Sequence, residues 1–445
     1  MNSDQSADVC IVGGGPAGMA MARALLRHGV SFDVFERHDD VGGLWDPRND
    51  GSPIYESAHF ISSKTQSHYF DFPMPDDYPD YPSNRQILNY HRAFVDAYGL
   101  REHVTFGTAV KHAEPTSSGW RVTLSTGEQR SYRNLVTANG TNWHPVLPDL
   151  PGTFDGELRH SRTYSSDEEF KGRRVLIVGG GNSGCDIACD AARSADAAFI
   201  SLRRGYHFIP KMIFGVPADV FGAKGPKLPM WLEQRVFGAL LRLLNGDPRR
   251  FGLAKPDHKL FESHPIMNTQ ILHHLAHGDI KAKPDVARLA GDRVEFVDGT
   301  SEQVDLIITA TGYHWPIPYV PREAFTWRNG RPVLYLNLFS RTNPTLYVMG
   351  YLETNGGAYK LFDDAADLIA RAIVARSAGN SADFERLVST DRPDLTGGVR
   401  HVGSQRHQGY VESASYLRHL KKVRDQLGWP GLKPGDFAHL RKAVR

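Results

Sequence analysis

Two glycine clusters are the residues best suited by type and spacing to chemistry. Residues 8–18 read DVCIVGGGPAG, where Gly13, Gly15 and Gly18 follow a short apolar run and precede an Ala-rich helical stretch to Gly29. Strand, tight turn and helix in that order cradle a pyrophosphate. Gly13 permits the turn, Gly15 lets the backbone approach the anion, and Gly18 lets helix and strand pack closely, while Pro16 and Ala17 open the helix whose N-terminus receives the charge. A second strand-like run, residues 31–35, ends at Glu36, eighteen residues beyond Gly18, close to where a carboxylate takes ribose hydroxyls. The same grammar returns in RRVLIVGGGNSGCDIA at 173–188, with Gly179, Gly181 and Gly184, and with Asn182 and Ser183 placed to meet a nucleotide at the start of the helix. Here the next strand-like run, 198–202, ends at Arg203 and Arg204 instead of an acid. Guanidinium forks suit an adenosine 2′-phosphate, which a carboxylate would repel. The first site therefore reads as FAD or NAD type and the second as NADPH type.

Other chemistry-bearing residues form no comparable constellation. Cys10, Cys185 and Cys189 are too few and too scattered for a disulfide framework, and the pair four apart reads as helix packing. His258, His264, His273, His274 and His277 cluster in sequence but lack an HExxH pattern or a cysteine partner, so no metal is expected. No acid–base dyad or nucleophile triad is evident.

The elements that position these groups must come from 445 residues, 40% hydrophobic and 23% charged, enough for a large core divided between two domains. Fifty-two Lys and Arg balance fifty Asp and Glu, which argues against a nucleic-acid partner. No run approaches the length of a membrane-spanning helix and the N-terminus has no signal-peptide pattern, so a soluble, cytoplasmic protein without a membrane partner is expected. The sequence leaves oligomeric state open and admits a homodimer.

The glycine fingerprints define an α/β fold of two Rossmann-type dinucleotide-binding domains, the second inserted into the first. The expected division is 1–160 for the first part of one domain, 161–309 for the inserted domain, and 310–445 for the return and C-terminal helices. A helix is predicted over 84–98, and hairpin-like strands near 120–125 and 132–137. Residues 205–275 interrupt the α/β alternation with Pro, Gly and aromatics and look like a lid or substrate-shaping insertion. Within it, the amphipathic stretch 231–244 reads as a core-facing helix. Strand-like 304–310 leads into Thr311 and Gly312, and 345–349 is a further apolar run. Residues 362–378 have helical spacing, and the C-terminal tail is expected to pack on the first domain.

Between the fingerprints, FDGELRHSRTY places Phe154, Gly156, His160 and Tyr164 in a spacing that resembles the signature of flavin-containing monooxygenases. Its final Tyr164 resembles that family more than the related Baeyer–Villiger monooxygenases, whose version usually ends in Trp. Gly42-Gly43-Leu44-Trp45, GNSGCDIA at 181–188, DFPMPDDYP at 71–79 and ITATGY at 308–313 extend the resemblance over most of the chain.

The resemblance implies FAD in the first unit, met by Gly13, Gly15, Pro16, Ala17, Gly18, Glu36, Arg37, Gly43, Leu44, Trp45, Val110, Thr311 and Gly312. It implies NADPH in the second, met by Gly179, Gly181, Asn182, Ser183, Gly184, Arg203, Arg204 and Asn268. It further implies hydride transfer to flavin, a flavin 4a-hydroperoxide formed with dioxygen and sheltered by NADP⁺, and oxygenation of a small nitrogen- or sulfur-containing substrate. His160 and Tyr164 would belong to the connection between domains and influence how NADPH docks. One departure stands out: Ile61 replaces an Asn that in the family hydrogen-bonds near the oxygenated flavin, and an isoleucine side chain cannot. His59, Asn142 and Tyr206 are candidates to take over that role, with Trp315 and Thr354 as further pocket residues. Baeyer–Villiger oxidation of ketones is the rival activity, and a non-catalytic NADPH-responsive flavoprotein sensor is the rival of another class.

Overall fold

Val9–Val12 is buried at every position, as an apolar run covered on both faces requires of a central parallel strand. In the computed structural model, which describes residues 7–225, 228–403, 407 and 409–442, this strand lies between Phe32–Phe35 and Asn134–Thr137, both parallel to it. Val104–Thr105 closes one edge of the sheet, and Leu346–Val348, Phe339–Ser340 and Leu334–Tyr335 continue the other. Helix α1 (Pro16–Arg27) starts with Pro in its first turn, where its missing N–H costs nothing. Helix α2 (Asn84–Ala97) begins at a reciprocal cap: Ser83 accepts from the Gln86 backbone and Gln86 accepts from the Ser83 backbone.

The strand expected at 132–137 is two strands of different sheets. Gln129–Tyr132 completes an antiparallel meander with Val110–Thr116 and Gly119–Leu124, whereas Asn134–Thr137 joins the parallel sheet. The break falls at Arg133 and Asn134, whose N–H groups both donate to the Asp8 carbonyl.

The second unit repeats the plan. Glu157–His160, Leu306–Thr309, Arg174–Val178, Ala197–Ser201 and Ile280–Lys283 form a wholly parallel sheet in that order. Helices α3 (Asn182–Ser194) and α6 (Gln270–His277) pack against each other beside it. Gly152–Phe154 pairs with Val286–Gly291, so the chain bonds into the second unit upstream of the boundary expected at 160/161. Residues 205–275 carry a short hairpin, helix α4 (Ala218–Lys224) and helix α5 (Met230–Asn245) around a small core of Ile209, Ile213, Ala218, Leu241 and Leu260. Helix α5 faces this core through Leu241, with Phe237 and Leu240 partly buried against it. Only Leu241 is buried, while Trp231 and Leu243 are 58% and 80% exposed, because so small a core needs one row of the helix to cover it.

After the return strands, α7 (Tyr359–Ser377) packs on α1, and α9 (Ser413–Leu427) packs on α7, with α8 (Ala382–Thr390) between them in the chain. The tail thus joins the core of the first unit, although its last three residues lie outside those described. Asp367 of α7 is the electrostatic centre of this packing. It meets Arg27 at 2.5 Å, His28 at 2.9 Å, Arg371 at 3.0 Å and Arg424 at 3.1 Å. Burial alone would raise its carboxyl, but these cations outweigh burial and hold it at about 2. A depressed carboxyl contributes stability above its unfolded pKa of about 3.9, and that stability disappears as pH falls towards 2. Asp367→Asn leaves Arg371 without its carboxylate and takes one of two from Arg27 and Arg424, which keep Asp436 and Asp364, at an expected cost of about 3 kcal/mol at neutral pH. Thermal melts should show the gap to wild type narrowing below about pH 4; a constant gap down to the lowest measurable pH would contradict the assignment.

Candidate functional site

A cleft of about 1630 Å³ opens where the carboxyl ends of the central parallel strands of both sheets face each other, the place where open α/β sheets take ligands. The first glycine turn forms one end. Gly13 has φ +114°, and a Cβ there would meet the Ala138 carbonyl oxygen at 2.5 Å. A Cβ on Gly18 would meet the Gly13 carbonyl oxygen at 2.0 Å. Gly15, by contrast, only faces Gly43 at an ordinary 3.5 Å, so its surface stays open. Glu36 is buried, its two oxygens accepting from the N–H groups of Gly14 at 2.6 Å and His38 at 2.8 Å. Arg37 stacks over Trp143 at 4.3 Å and donates to the Asp50 carbonyl. Pro16, Ala17, Gly43, Leu44, Trp45, Val110, Thr311 and Gly312 line the same region. Gly18 does not line it; its work is packing.

The second turn reproduces the first almost atom for atom. Gly179 has φ +117° and a Cβ there would meet the Ala310 carbonyl oxygen at 2.5 Å; a Cβ on Gly184 would meet the Gly179 carbonyl oxygen at 2.1 Å. Gly181, Asn182, Ser183, Arg203 and Arg204 line this end. Helices α1 and α3 both begin at a glycine with no side-chain cap, leaving first-turn N–H groups for an anion. Asn182 accepts from the Met267 N–H at 2.7 Å, while its own Nδ2, buried and facing no acceptor, is a donor in want of a ligand. Arg204 donates to the Ser263 hydroxyl at 3.2 Å and lies over Tyr206, whereas Arg203 is exposed. These residues fit a dinucleotide at each end, with a buried carboxylate at one and two guanidinium groups at the other.

Asn268 is a correction. It does not line the cleft. Its amide donates to Asp186 at 2.6 Å, and its carbonyl accepts from the Ile271 N–H at the start of α6, so its polar atoms serve the fold.

His59, Ile61, Asn142, Tyr206, Trp315 and Thr354 all line the cleft. His59 is held by the Ser57 carbonyl at 2.9 Å, Trp315 is covered by the Arg331 guanidinium at 3.6 Å, and Thr354 bonds Ser413 at 2.5 Å. His160 joins the strand entering the second unit to the Thr311–Gly312 turn. Its Nδ1 accepts from the Arg162 N–H at 3.1 Å, which leaves Nε2–H to donate to the Gly312 carbonyl at 3.2 Å. Burial lowers its pKa to about 4, so the ring stays neutral near pH 7. Tyr164 is buried, stacked on Phe170, and donates to Asp190 at 2.9 Å. Phe154 and Gly156 lie beside each other at the sheet edge, where a Cβ on Gly156 would strike the Phe154 ring and the Asp305 carbonyl.

Tyr55 and Asp186 also line the cleft and were not singled out by sequence. The Tyr55 hydroxyl donates to Asp186 Oδ2 at 3.0 Å, and burial pushes the Asp186 carboxyl up. The available signal was Asp186 and Asp190, two acids four apart on one face of a helix. Cys10, Cys185 and Cys189 are buried, with burial pushing each thiol up. Of the histidine cluster, His274 pairs with Asp279 and His258 with Asp257, and no metal-binding group is present among the described residues.

Residues 6–379 match the family model described as flavin-binding monooxygenase-like. Human flavin-containing monooxygenase 5 is 30% identical, over 94% of this chain and 83% of its own. The probable indole-3-pyruvate monooxygenase YUCCA9 of Arabidopsis thaliana is 32% identical, over 72% of this chain and 79% of its own. Among solved structures, S-allyl-L-cysteine S-oxygenase from Allium sativum superposes with a TM-score of 0.65 at 19% identity, covering 96% of this chain and 90% of that one. An oxidized steroid monooxygenase bound to NADP superposes with a TM-score of 0.74 at 18% identity, covering 96% and 99%.

Proposed function

The chain belongs to the flavin-binding monooxygenase-like family, and on that premise we propose that it holds FAD in its first unit and NADPH in its second and transfers one atom of dioxygen to a small nitrogen- or sulfur-containing nucleophile. The observation that carries this reading is the pair of matching glycine turns facing one cleft, one backed by Glu36 and the other by Arg203 and Arg204. When bound, the flavin accepts hydride from NADPH and reacts with dioxygen. The protein's share is binding, orientation and exclusion of water. The N-termini of α1 and α3 receive pyrophosphates, Glu36 offers its remaining lone pairs to ribose hydroxyls, and the Asn182 amide donates to the nicotinamide nucleotide. His160 transfers no proton in this scheme; its neutral ring ties the Gly312 turn to the linker. Three buried free thiols support a cytoplasmic setting, and among the described residues no helix is long and apolar enough to cross a membrane.

Anaerobic NADPH is expected to bleach the flavin, and readmitted dioxygen to convert a sulfide or an amine to its oxide. An ester or lactone from a ketone assayed in parallel would move the reading to Baeyer–Villiger oxidation. Flavin reduction without substrate-dependent dioxygen consumption would move it to a sensor.

Ile61 gives the cleft an apolar wall where an amide would donate a hydrogen bond. Ile61→Asn is expected to lower severalfold the share of consumed NADPH that is lost as hydrogen peroxide. An unchanged share would show that position 61 plays no part in protecting the oxygen.

A further inference from the structure

Residues 53–62 pass from one core to the other within a few positions. Tyr55 and Ala58 are buried in the core of the second unit, with Tyr164 and Phe170. Phe60 is buried in the core of the first, 5.2 Å from Trp45 and 5.5 Å from Tyr359. His59 and Ile61 flank that crossing and line the cleft.

The segment is tied to α3 by two rungs. Tyr55 donates to Asp186 Oδ2 at 3.0 Å and Ser57 to Asp190 Oδ2 at 2.5 Å. The acceptors are four residues apart, so they stand one turn above the other on a single helix face. Both bonds end on carboxylates, which makes them stronger and more directional than neutral ones. Asp190 is itself held in place, by Tyr164 at 2.9 Å and Arg193 at 2.6 Å. Asp186 is held by Asn268 at 2.6 Å. The backbone adds a third tie, from the Glu56 N–H to the Ser165 carbonyl at 2.8 Å. The first residues of the same helix, Asn182 and Ser183, line the nucleotide end of the cleft. One rigid element therefore carries nucleotide contacts at its start and the two rungs within its next two turns.

We propose that Tyr55 and Ser57 are positioning residues, a strap through which α3 sets the place of His59 and Ile61, so that a nicotinamide nucleotide docked on α3 orders the pocket wall contributed by the other unit. This rests on the reading of the second unit as the NADPH site. It also gives Tyr164 a physical role: its hydroxyl fixes the carboxylate that Ser57 grips.

The test is hydrogen exchange on the FAD-loaded protein with and without NADP⁺, followed by mass spectrometry of peptides spanning 53–62 and 179–190. In the wild type, NADP⁺ is expected to slow exchange in both peptides. Ser57→Ala should keep the effect at 179–190 and lose most of it at 53–62, and Ser57→Thr, which retains the hydroxyl, should restore it. Tyr55→Phe, which keeps the buried ring, should give an intermediate loss. The loss should be accompanied by a severalfold rise in the peroxide share of consumed NADPH. Slowing at 179–190 without slowing at 53–62 in the wild type, or full slowing at 53–62 in Ser57→Ala, would overturn the strap alone. No NADP⁺ effect at 179–190 would overturn the nucleotide reading, and the strap with it.

Discussion

Gly15→Ala is expected to yield a folded chain that has lost its flavin, whereas Gly18→Ala is expected to lose the first unit itself. The two glycines lie three apart in one fingerprint but face different neighbours. Gly15 has φ −79°, ordinary for alanine, and its added Cβ would rest 3.5 Å from Gly43. The direct cost is about 1 kcal/mol or less, that of a poorer helix cap. The methyl group would, however, stand on the surface that a pyrophosphate must approach. Losing one or two hydrogen bonds from backbone N–H to a charged group, each worth about 1.5–3 kcal/mol, weakens FAD by on the order of a hundredfold. At Gly18 the Cβ would lie 2.0 Å from the Gly13 carbonyl oxygen. That oxygen belongs to backbone fixed by the central strand and by the Gly13 N–H bond to the Phe35 carbonyl, so it cannot give way as a flexible side chain would. Helix and turn must separate, at about 3 kcal/mol or more. Flavin absorbance per protein and the thermal midpoint of the flavin-stripped chain distinguish the two. A Gly15→Ala protein that keeps its full flavin after dialysis would refute the cradle.

That contrast also explains what was legible in the sequence. Glycine spacing carries information because backbone oxygens occupy the places where Cβ atoms would go, and both turns show the same contacts at Gly13, Gly18, Gly179 and Gly184. Glu36 and Arg203 were legible because the strand before each ends in the cleft. The split at Arg133 was not, since no Gly or Pro falls between Tyr132 and Thr137 and only the Asp8 carbonyl, far away in the chain, marks the change of sheet. Periodicity showed that α5 is two-sided but not how much core awaited it. Asn268 matched a pattern, yet its amide was already committed to Asp186. Of the pair Tyr55 and Asp186, 131 residues apart, only the acid left a trace, in its spacing from Asp190; nothing around Tyr55 pointed to it.

Replacing both Arg203 and Arg204 by alanine is expected to lower kcat/KM for NADPH by on the order of a hundredfold while changing that for NADH less than about threefold, given that a hydrogen bond to a charged group contributes about 1.5–3 kcal/mol. Both side chains line the cleft just beyond the end of the strand Ala197–Ser201. That is the position in the second unit that Glu36 occupies in the first. Only the 2′-phosphate distinguishes the two nucleotides, so a loss confined to NADPH locates the contact. Arg203 is exposed, so its attraction for phosphate is screened and its share should shrink as salt rises. Arg204 is half-buried, braced by Ser263 and by the Tyr206 ring, and its share should persist. Arg204→Lys should recover only part of the loss, because an ammonium group keeps the charge but not the planar fork. Equal losses for NADPH and NADH would mean that the two arginines serve the fold of the cleft and do not read the phosphate.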